Sequence, residues 1–363
     1  MLAATVAAIV FSLLTIAALL STVSPMLTSL SSHGKTRLMS SNCGHDNPRC
    51  HDHEQSSVSR RWQQQQHFVS NSNFTVNKGR FIDFYATGII VSMLILICNA
   101  NVMGSDDFLP TCLLMTHLIR RYCECIWVHK PGALSQLHVA GYLLGILHYL
   151  CIPFILISYH PYNMICSTFD NPFQGGDIGG KQCDDESSPT DILPFTSMAR
   201  FLNGFAIFGC IYFQYQQHRH HVILANLRGA GEAMPNKTIQ YSTPNGGWFE
   251  FVSCPHYFSE IMIYITFAII MNDVSYISRE RSVEAWLADC NHFLVIPTQL
   301  CGSLADTRWM DMLVAIHNSR HWILCMWVTT NLAISADRTH NWYRNYFGTS
   351  YPQQRMRLVP FVW

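Results

Sequence analysis

The chain has 363 residues, 49% of them hydrophobic and only 13% charged, and its 23 basic side chains balance 23 acidic ones. A soluble domain carries roughly 25% charged residues, so the composition excludes an ordinary soluble globular protein. Zero net charge without a basic stripe also gives nucleic acid no surface to bind.

Several segments approach the roughly 20 apolar residues that a bilayer crossing needs. They predict an all-α, polytopic membrane helical bundle of about seven transmembrane helices. Leu2 to Leu20 is almost purely apolar and follows no basic residue. Lacking a basic n-region, residues 1–23 read as a first transmembrane segment or signal anchor, with a cleaved signal peptide as the alternative. Residues 24–78 are rich in Ser, Asn, Gln and His and read as a flexible polar loop. Cys43, His45, Cys50, His51 and His53 within it match no standard zinc spacing, so no metal is expected. Residues 79–363 form the expected membrane-embedded domain.

Further spans are predicted over Phe84 to Cys98, Phe108 to Val128, Leu137 to Tyr159 across Pro153, Met198 to Tyr215 and Tyr257 to Met271, with a last one ending His321 to Ile334. The third carries His117, Arg120, Arg121 and Glu124 on one helical face at spacings of three and four. Four ionisable groups on one face cannot point at lipid. They either snorkel into the headgroup layer or line an internal polar cavity, and Glu124 favours the cavity. Asn163 to Asp191 is acidic and poor in Lys and Arg, which places it away from the cytosol, whereas Arg219, Arg228 and Lys237 place the loop after the fifth span in the cytosol. The C-terminus is then cytosolic, and the acceptor sequences at Asn73 and Asn236 are expected to stay unglycosylated. Cys166 with Cys183, and Cys290 with Cys301, are candidate disulfides if their loops face an oxidising lumen.

The stretch from Gly246 to Glu260 sets His256, Tyr257 and Glu260 at the doorstep of the apolar run beginning at Ile261. Such groups are functional candidates by default, the alternative being a polar helix cap. No dinucleotide fingerprint, P-loop, Gly-x-Ser-x-Gly or His-Glu-x-x-His is present, which excludes a soluble Rossmann domain as far as pattern can. A nucleotide would have to sit among the polar cytosolic ends. Those ends collect Gln217, His218, His220, His221, Asn226 and Arg228, then His256, Tyr257 and Glu260, then Arg338, His340, Trp342, Tyr343, Tyr351 and Arg355. Arginine forks suit phosphate and aromatic rings stack on bases; an ordinary basic tail with an aromatic belt is the alternative.

The runs Gln217 to Arg228, Pro244 to Ile261, Thr339-His-Asn-Trp-Tyr343 and Tyr351-Pro-Gln-Gln-Arg355 ending Pro360-Phe-Val-Trp363 resemble the steroid 5-alpha-reductase family, most of all its polyprenol (polyprenal) reductase branch. His117-Leu-Ile-Arg-Arg-Tyr-Cys-Glu124 is similar, more weakly, to a stretch of that branch. The resemblance implies a seven-helix, multi-pass enzyme of the endoplasmic reticulum membrane, with its reductase-like region over about 200–363. It implies NADPH as cofactor, bound from the cytosolic side by Gln217, Arg228, His256, Glu260, His340, Tyr343 and Arg355. Gln217 and His256 stand where family members commonly have Asn. The implied reaction reduces the alpha-isoprene double bond of polyprenal (polyprenol) towards dolichal and dolichol, feeding dolichol phosphate and protein N-glycosylation. The implied partners are that lipid and the membrane, with no obligate protein partner.

Chemistry favours the aldehyde. Hydride adds to a carbon–carbon double bond only when the resulting charge has a sink, and an unsaturated aldehyde delivers it to oxygen as an enolate. The site must then offer a hydrogen-bond donor to that oxygen and a proton to the alpha carbon. Candidate catalytic groups are His117, Glu124 and Tyr257, with Arg120 or Arg121 as charge partner. A steroid or enoyl-thioester reductase shares this chemistry, and a membrane methyltransferase is the more distant alternative. A transporter would show internal repeats, which the sequence lacks.

Overall fold

The computed structural model describes residues 2–23, 75–99, 105–129, 136–156, 193–229, 242–271 and 307–363. The cysteine pairs 166/183 and 290/301, both glycosylation acceptors and the Cys43 to His53 group lie outside these residues.

Eight α-helices are present among the described residues: α1 Leu2–Val23, α2 Phe81–Asn99, α3 Ser105–Trp127, α4 Val139–Leu156, α5 Leu193–Gly229, α6 Pro255–Met271, α7 Thr307–Asn318 and α8 Arg320–Phe347. The chain is a helical membrane protein. Three helices are long and apolar enough to cross a bilayer, over Ala3–Leu20, Lys78–Cys98 and Val139–Leu156, and Pro255–Met271 is a shorter apolar helix. The all-α expectation needs one addition. Strands β1 Thr75–Asn77 and β2 Gln136–His138 form a short antiparallel ribbon. Thr75 Oγ1 donates to Gln136 Oε1 across it at 2.8 Å.

Two predicted boundaries are corrected. Gln217 to Arg228, read as a loop, continues α5 for some three further turns. No Pro or Gly interrupts Phe205 to Leu227 except Gly209, and Gln, Arg and Leu are good helix formers, so loss of hydropathy did not end the helix. Likewise Arg338, His340 and Tyr343 belong to α8, not to an irregular tail. Gly348, at φ 56°, stops that helix and sends its N–H back to the carbonyl of Arg344. Pro153 is carried inside α4 as expected.

Helix α1 is a core element. Phe11 is fully buried, edge-on to His148 of α4 at 5.4 Å and stacked on Trp327 of α8 at 6.3 Å, and Thr5 Oγ1 lies 3.1 Å from His317 Nδ1 of α7. Helices α5 and α6 pack along each other around Cys210, Ile263 and Phe267. After the tail leaves α8, Met356 pairs with the stretch before α6: its N–H donates to the Phe251 carbonyl and its carbonyl accepts from the Ser253 N–H, both at 2.9 Å.

Helices α2 and α4 approach closely because Gly145 faces Phe84. A Cβ on Gly145 would come within 2.4 Å of the Phe84 ring, which is wedged among Phe81, Tyr142 and Tyr149 at 5.2 to 6.1 Å. A Cβ on Gly204 of α5 would meet nothing within 4 Å. Gly145→Ala is therefore expected to cost about 1–3 kcal/mol by overpacking, seen as a lower unfolding temperature in detergent, whereas Gly204→Ala should match or exceed the wild type. Equal behaviour of the two variants would contradict this packing.

Candidate active site

The polar face of α3 turns inward and meets α5. Glu124 is the hub, 2% exposed, and it takes contacts from four side chains. Arg120 and Arg121 reach it from its own helix at i−4 and i−3. His218 Nδ1 and His221 Nδ1 approach from α5 at 2.9 and 2.8 Å. Arg121 also gives Nε and Nη2 to the Tyr85 hydroxyl of α2, at 3.0 and 2.7 Å. A buried carboxylate is tolerable only with such compensation.

The network continues into α6. Arg120 donates to the Gln217 carbonyl oxygen, and the Gln217 amide donates to Glu260. Glu260 Oε1 lies 3.4 Å from Nε2 of the fully buried His117, whose Nδ1 is 3.4 Å from Arg120 Nη2. Five side chains from three helices, Glu124, Arg120, Gln217, Glu260 and His117, thus form one connected chain. Beneath it the lining turns aromatic: His117 sits edge-on to Tyr264 and Phe267 at 6.3 and 6.4 Å, and Tyr264 in turn neighbours His148 at 6.3 Å. To one side His256 touches Tyr257 at 4.2 Å between ring centres and His221 at 5.7 Å.

Glu124, His129 and His221 bring potential ligand atoms within 4.8 Å of one another. Arg121 Nη1 already lies 2.6 Å from His221 Nδ1 and pairs with Glu124, so a cation there would have to displace a guanidinium.

A second cluster joins the start of α6 to α8 and the tail. Ser253 Oγ lies 2.7 Å from His340 Nδ1 and 2.6 Å from the Tyr351 hydroxyl. Tyr351 stacks on Tyr343 with centroids 5.5 Å apart and planes at 8°. Arg355 donates Nη1 to the Pro244 carbonyl and Nη2 to Asn245 Oδ1, both at 2.8 Å. The structure therefore gathers His117, Glu124, Gln217 and Glu260 into one network with His256 and Tyr257 alongside. It sets His340, Tyr343 and Arg355 in another cluster, across the strip from Phe249 to Pro255. The Arg228 side chain lies outside the described residues. Tyr85, His148 and Tyr264 join the site without having been picked out from sequence, since each is a lone polar residue in an apolar run.

With this geometry in hand, two comparisons bear on kinship. The family model described as 3-oxo-5-alpha-steroid 4-dehydrogenase matches residues 191–278 and 304–363. Over those residues the chain is similar to the steroid 5-alpha-reductase family. A polyprenal reductase of Xenopus tropicalis is 26% identical over 256 residues, covering 70% of this chain, and the chain spans 60% of that relative's length. Polyprenal reductase 1 of Arabidopsis thaliana is 24% identical over 324 residues, or 81% of this chain and 83% of its own. The human polyprenal reductase is 24% identical over 260 residues, 72% of this chain and 61% of its own. The family match includes α5, α6, α8 and the tail. It therefore includes Gln217, Glu260 and the whole Ser253 cluster, whereas α3 lies outside it.

His340 sits beyond the apolar part of α8, and burial followed by Arg357 and Arg344 lowers its pKa below the usual histidine value. The folded state thus prefers the neutral ring. Its stabilisation is complete above the unfolded value of roughly 6.5 and is lost as pH falls towards the lower folded value. Limited proteolysis of the C-terminal tail should accelerate as pH falls below about 6.5, and His340→Gln should remove that dependence. A tail equally resistant throughout the range would refute the coupling.

Proposed function

We propose that this protein is an NADPH-dependent polyprenal reductase of the endoplasmic reticulum membrane. It reduces the alpha-isoprene double bond on the way to dolichol, and so supplies dolichol phosphate for protein N-glycosylation. In this reading seven helices cross the membrane and the C-terminus is cytosolic. The observation that carries it is the buried chain Glu124, Arg120, Gln217, Glu260, His117 lying directly over an aromatic lining. A polar reaction centre and an apolar floor are what an aldehyde on an isoprenoid tail requires. Relatives named polyprenal reductase, matched over 70–81% of the chain, support the same substrate class.

The residues present fit a dinucleotide. His256 Nδ1 and both ring nitrogens of His220 are buried without a hydrogen bond among the described residues, so the polar end of α5 and α6 has donor and acceptor capacity to spare. Gln217, His256 and Glu260 would hold the nicotinamide side; Arg228, His340, Tyr343 and Arg355 are assigned to the remainder of the cofactor. Bound NADPH supplies a hydride to the beta carbon of the substrate.

The chain's own groups do the rest. Glu260 faces His117 Nε2 as an anion at 3.4 Å and orients that ring beside the alpha carbon, which takes its proton from water. Glu124 keeps Arg120 and Arg121 in place, and Tyr257 supports His256 by ring contact. Removing water strengthens each of these interactions, because the effective dielectric constant falls.

The test is NADPH oxidation by membranes containing the protein, offered polyprenal, polyprenol and a steroid enone in parallel. Polyprenal should be turned over, and Glu260→Gln should lower kcat at least about 100-fold by losing the anion that holds His117. Turnover of the steroid alone would transfer the reading to the substrate in the family's description. No oxidation with any of the three would overturn it.

A further inference from the structure

His148 lies in the middle of α4, in a segment apolar enough to span the bilayer. An imidazole at such depth is costly and calls for a use. Its ring is enclosed by Phe11 of α1, Trp327 of α8, Tyr149 and Tyr264, while the residue as a whole is partly exposed.

The tautomer of this ring follows from its neighbour. Trp327 Nε1 points at His148 Nδ1 at 3.1 Å, and an indole N–H can only donate. Nδ1 must therefore accept, which makes the ring neutral and puts its single hydrogen on Nε2. No hydrogen bond from Nε2 is made among the described residues. His117 differs, because its Nε2 is aimed at the Glu260 carboxylate. Two imidazoles thus flank Tyr264, each with its centroid 6.3 Å away. One is committed to an anion, and the other presents a neutral N–H with no acceptor.

We propose that His148 Nε2–H is the hydrogen-bond donor to the carbonyl oxygen of an alpha,beta-unsaturated aldehyde, with Trp327 as the positioning residue that fixes its tautomer. The inference rests on the polyprenal reductase reading. In the reaction, hydride forms the new C–H bond at the beta carbon. The double-bond pair shifts between the alpha and carbonyl carbons, and the carbonyl pair moves to oxygen, giving an enolate held by His148. The alpha carbon then takes a proton supplied by water as the carbonyl re-forms, leaving a saturated aldehyde. His148 keeps its own hydrogen throughout. A neutral donor suits this task because it stabilises the oxyanion without protonating the oxygen and diverting the product to an enol.

The first measurement needs no cofactor: the ultraviolet absorption of farnesal, a short unsaturated aldehyde of the same type, on binding to the NADPH-free protein. Hydrogen bonding to the carbonyl shifts the band to longer wavelength. The shift is expected in the wild type and in His148→Gln, which keeps an N–H donor, and is expected to vanish in His148→Phe. In turnover, His148→Phe should lose about 100- to 1,000-fold in kcat with unchanged KM for NADPH, and His148→Gln should recover most of it. Trp327→Phe, which leaves the imidazole but frees its tautomer, should lower kcat and weaken the shift. An unaltered band and kcat in His148→Phe would overturn the proposal. If that variant fails to bind NADPH through misfolding, an unaltered Trp327→Phe overturns it instead. A wild-type protein that shows the farnesal shift but oxidises no NADPH with polyprenal would instead sink the reductase reading and remove this role with it.

Discussion

The arrangement depends on one buried anion. Glu124 lies where water is scarce, and an unpaired carboxylate there would cost several kcal/mol. Two of its partners, Arg120 and Arg121, come from its own helix and would form with little tertiary structure. The other two, His218 and His221, come from α5. Satisfying Glu124 thus fixes both the rotation of α3 and its register against α5. Once these helices are set, Arg120 reaches Gln217 and Gln217 reaches Glu260, so α6 is positioned by the same charge two steps removed. Replacing the whole set by apolar residues would probe stability alone. Removing Glu124 would leave two guanidiniums facing each other without compensation, which costs far more than the pair contributes.

That ordering separates the site into two levels with different electrostatics. The upper level, around Glu124 and Glu260, holds charges locked in pairs. Below His117 the polar groups are lone and uncharged: Tyr264, Tyr149 and His148, spaced by Phe11, Phe267 and Trp327. On the proposed reading, a lipid aldehyde approaching from the aromatic side meets neutral hydrogen-bond partners first and the charged layer behind them. Charge that develops on the substrate is then felt across a short, dry distance, where electrostatic interactions are strong.

Much of this was legible in the sequence because helical period exposes a face. His117, Arg120, Arg121 and Glu124 repeat at three and four, and no lipid-facing helix tolerates that set. The ends of α5 and α8 were misread for a physical reason. Hydropathy falls at Gln214 and at Asn331, but backbone propensity does not, so the helices run on past the apolar boundary. The ribbon of Thr75–Asn77 with Gln136–His138 is three residues long and closes a separation of 61 residues, which no local pattern announces. His148 is hidden for the opposite reason: it stands alone in Tyr142 to Leu156, and its meaning comes only from Trp327, 179 residues away.

The tail cluster shows how one segment serves both levels. Gly246 and Gly247 adopt φ of 92° and 57°, values that side chains resist, and they turn the chain into the 3-10 turn Gly247–Glu250. Phe249 is thereby buried between His220 and His256, at 5.6 and 6.3 Å. Six residues further on, Pro255 starts α6 and sets where Glu260 falls. Arg355 spends both Nη groups on Pro244 and Asn245, and Ser253 is gripped by His340 and Tyr351. The tail thus clamps this turn at both ends. A change at Arg355 or Tyr351 acts on Glu260 through the start of α6, so residues that hold a loop also tune a carboxylate they never touch.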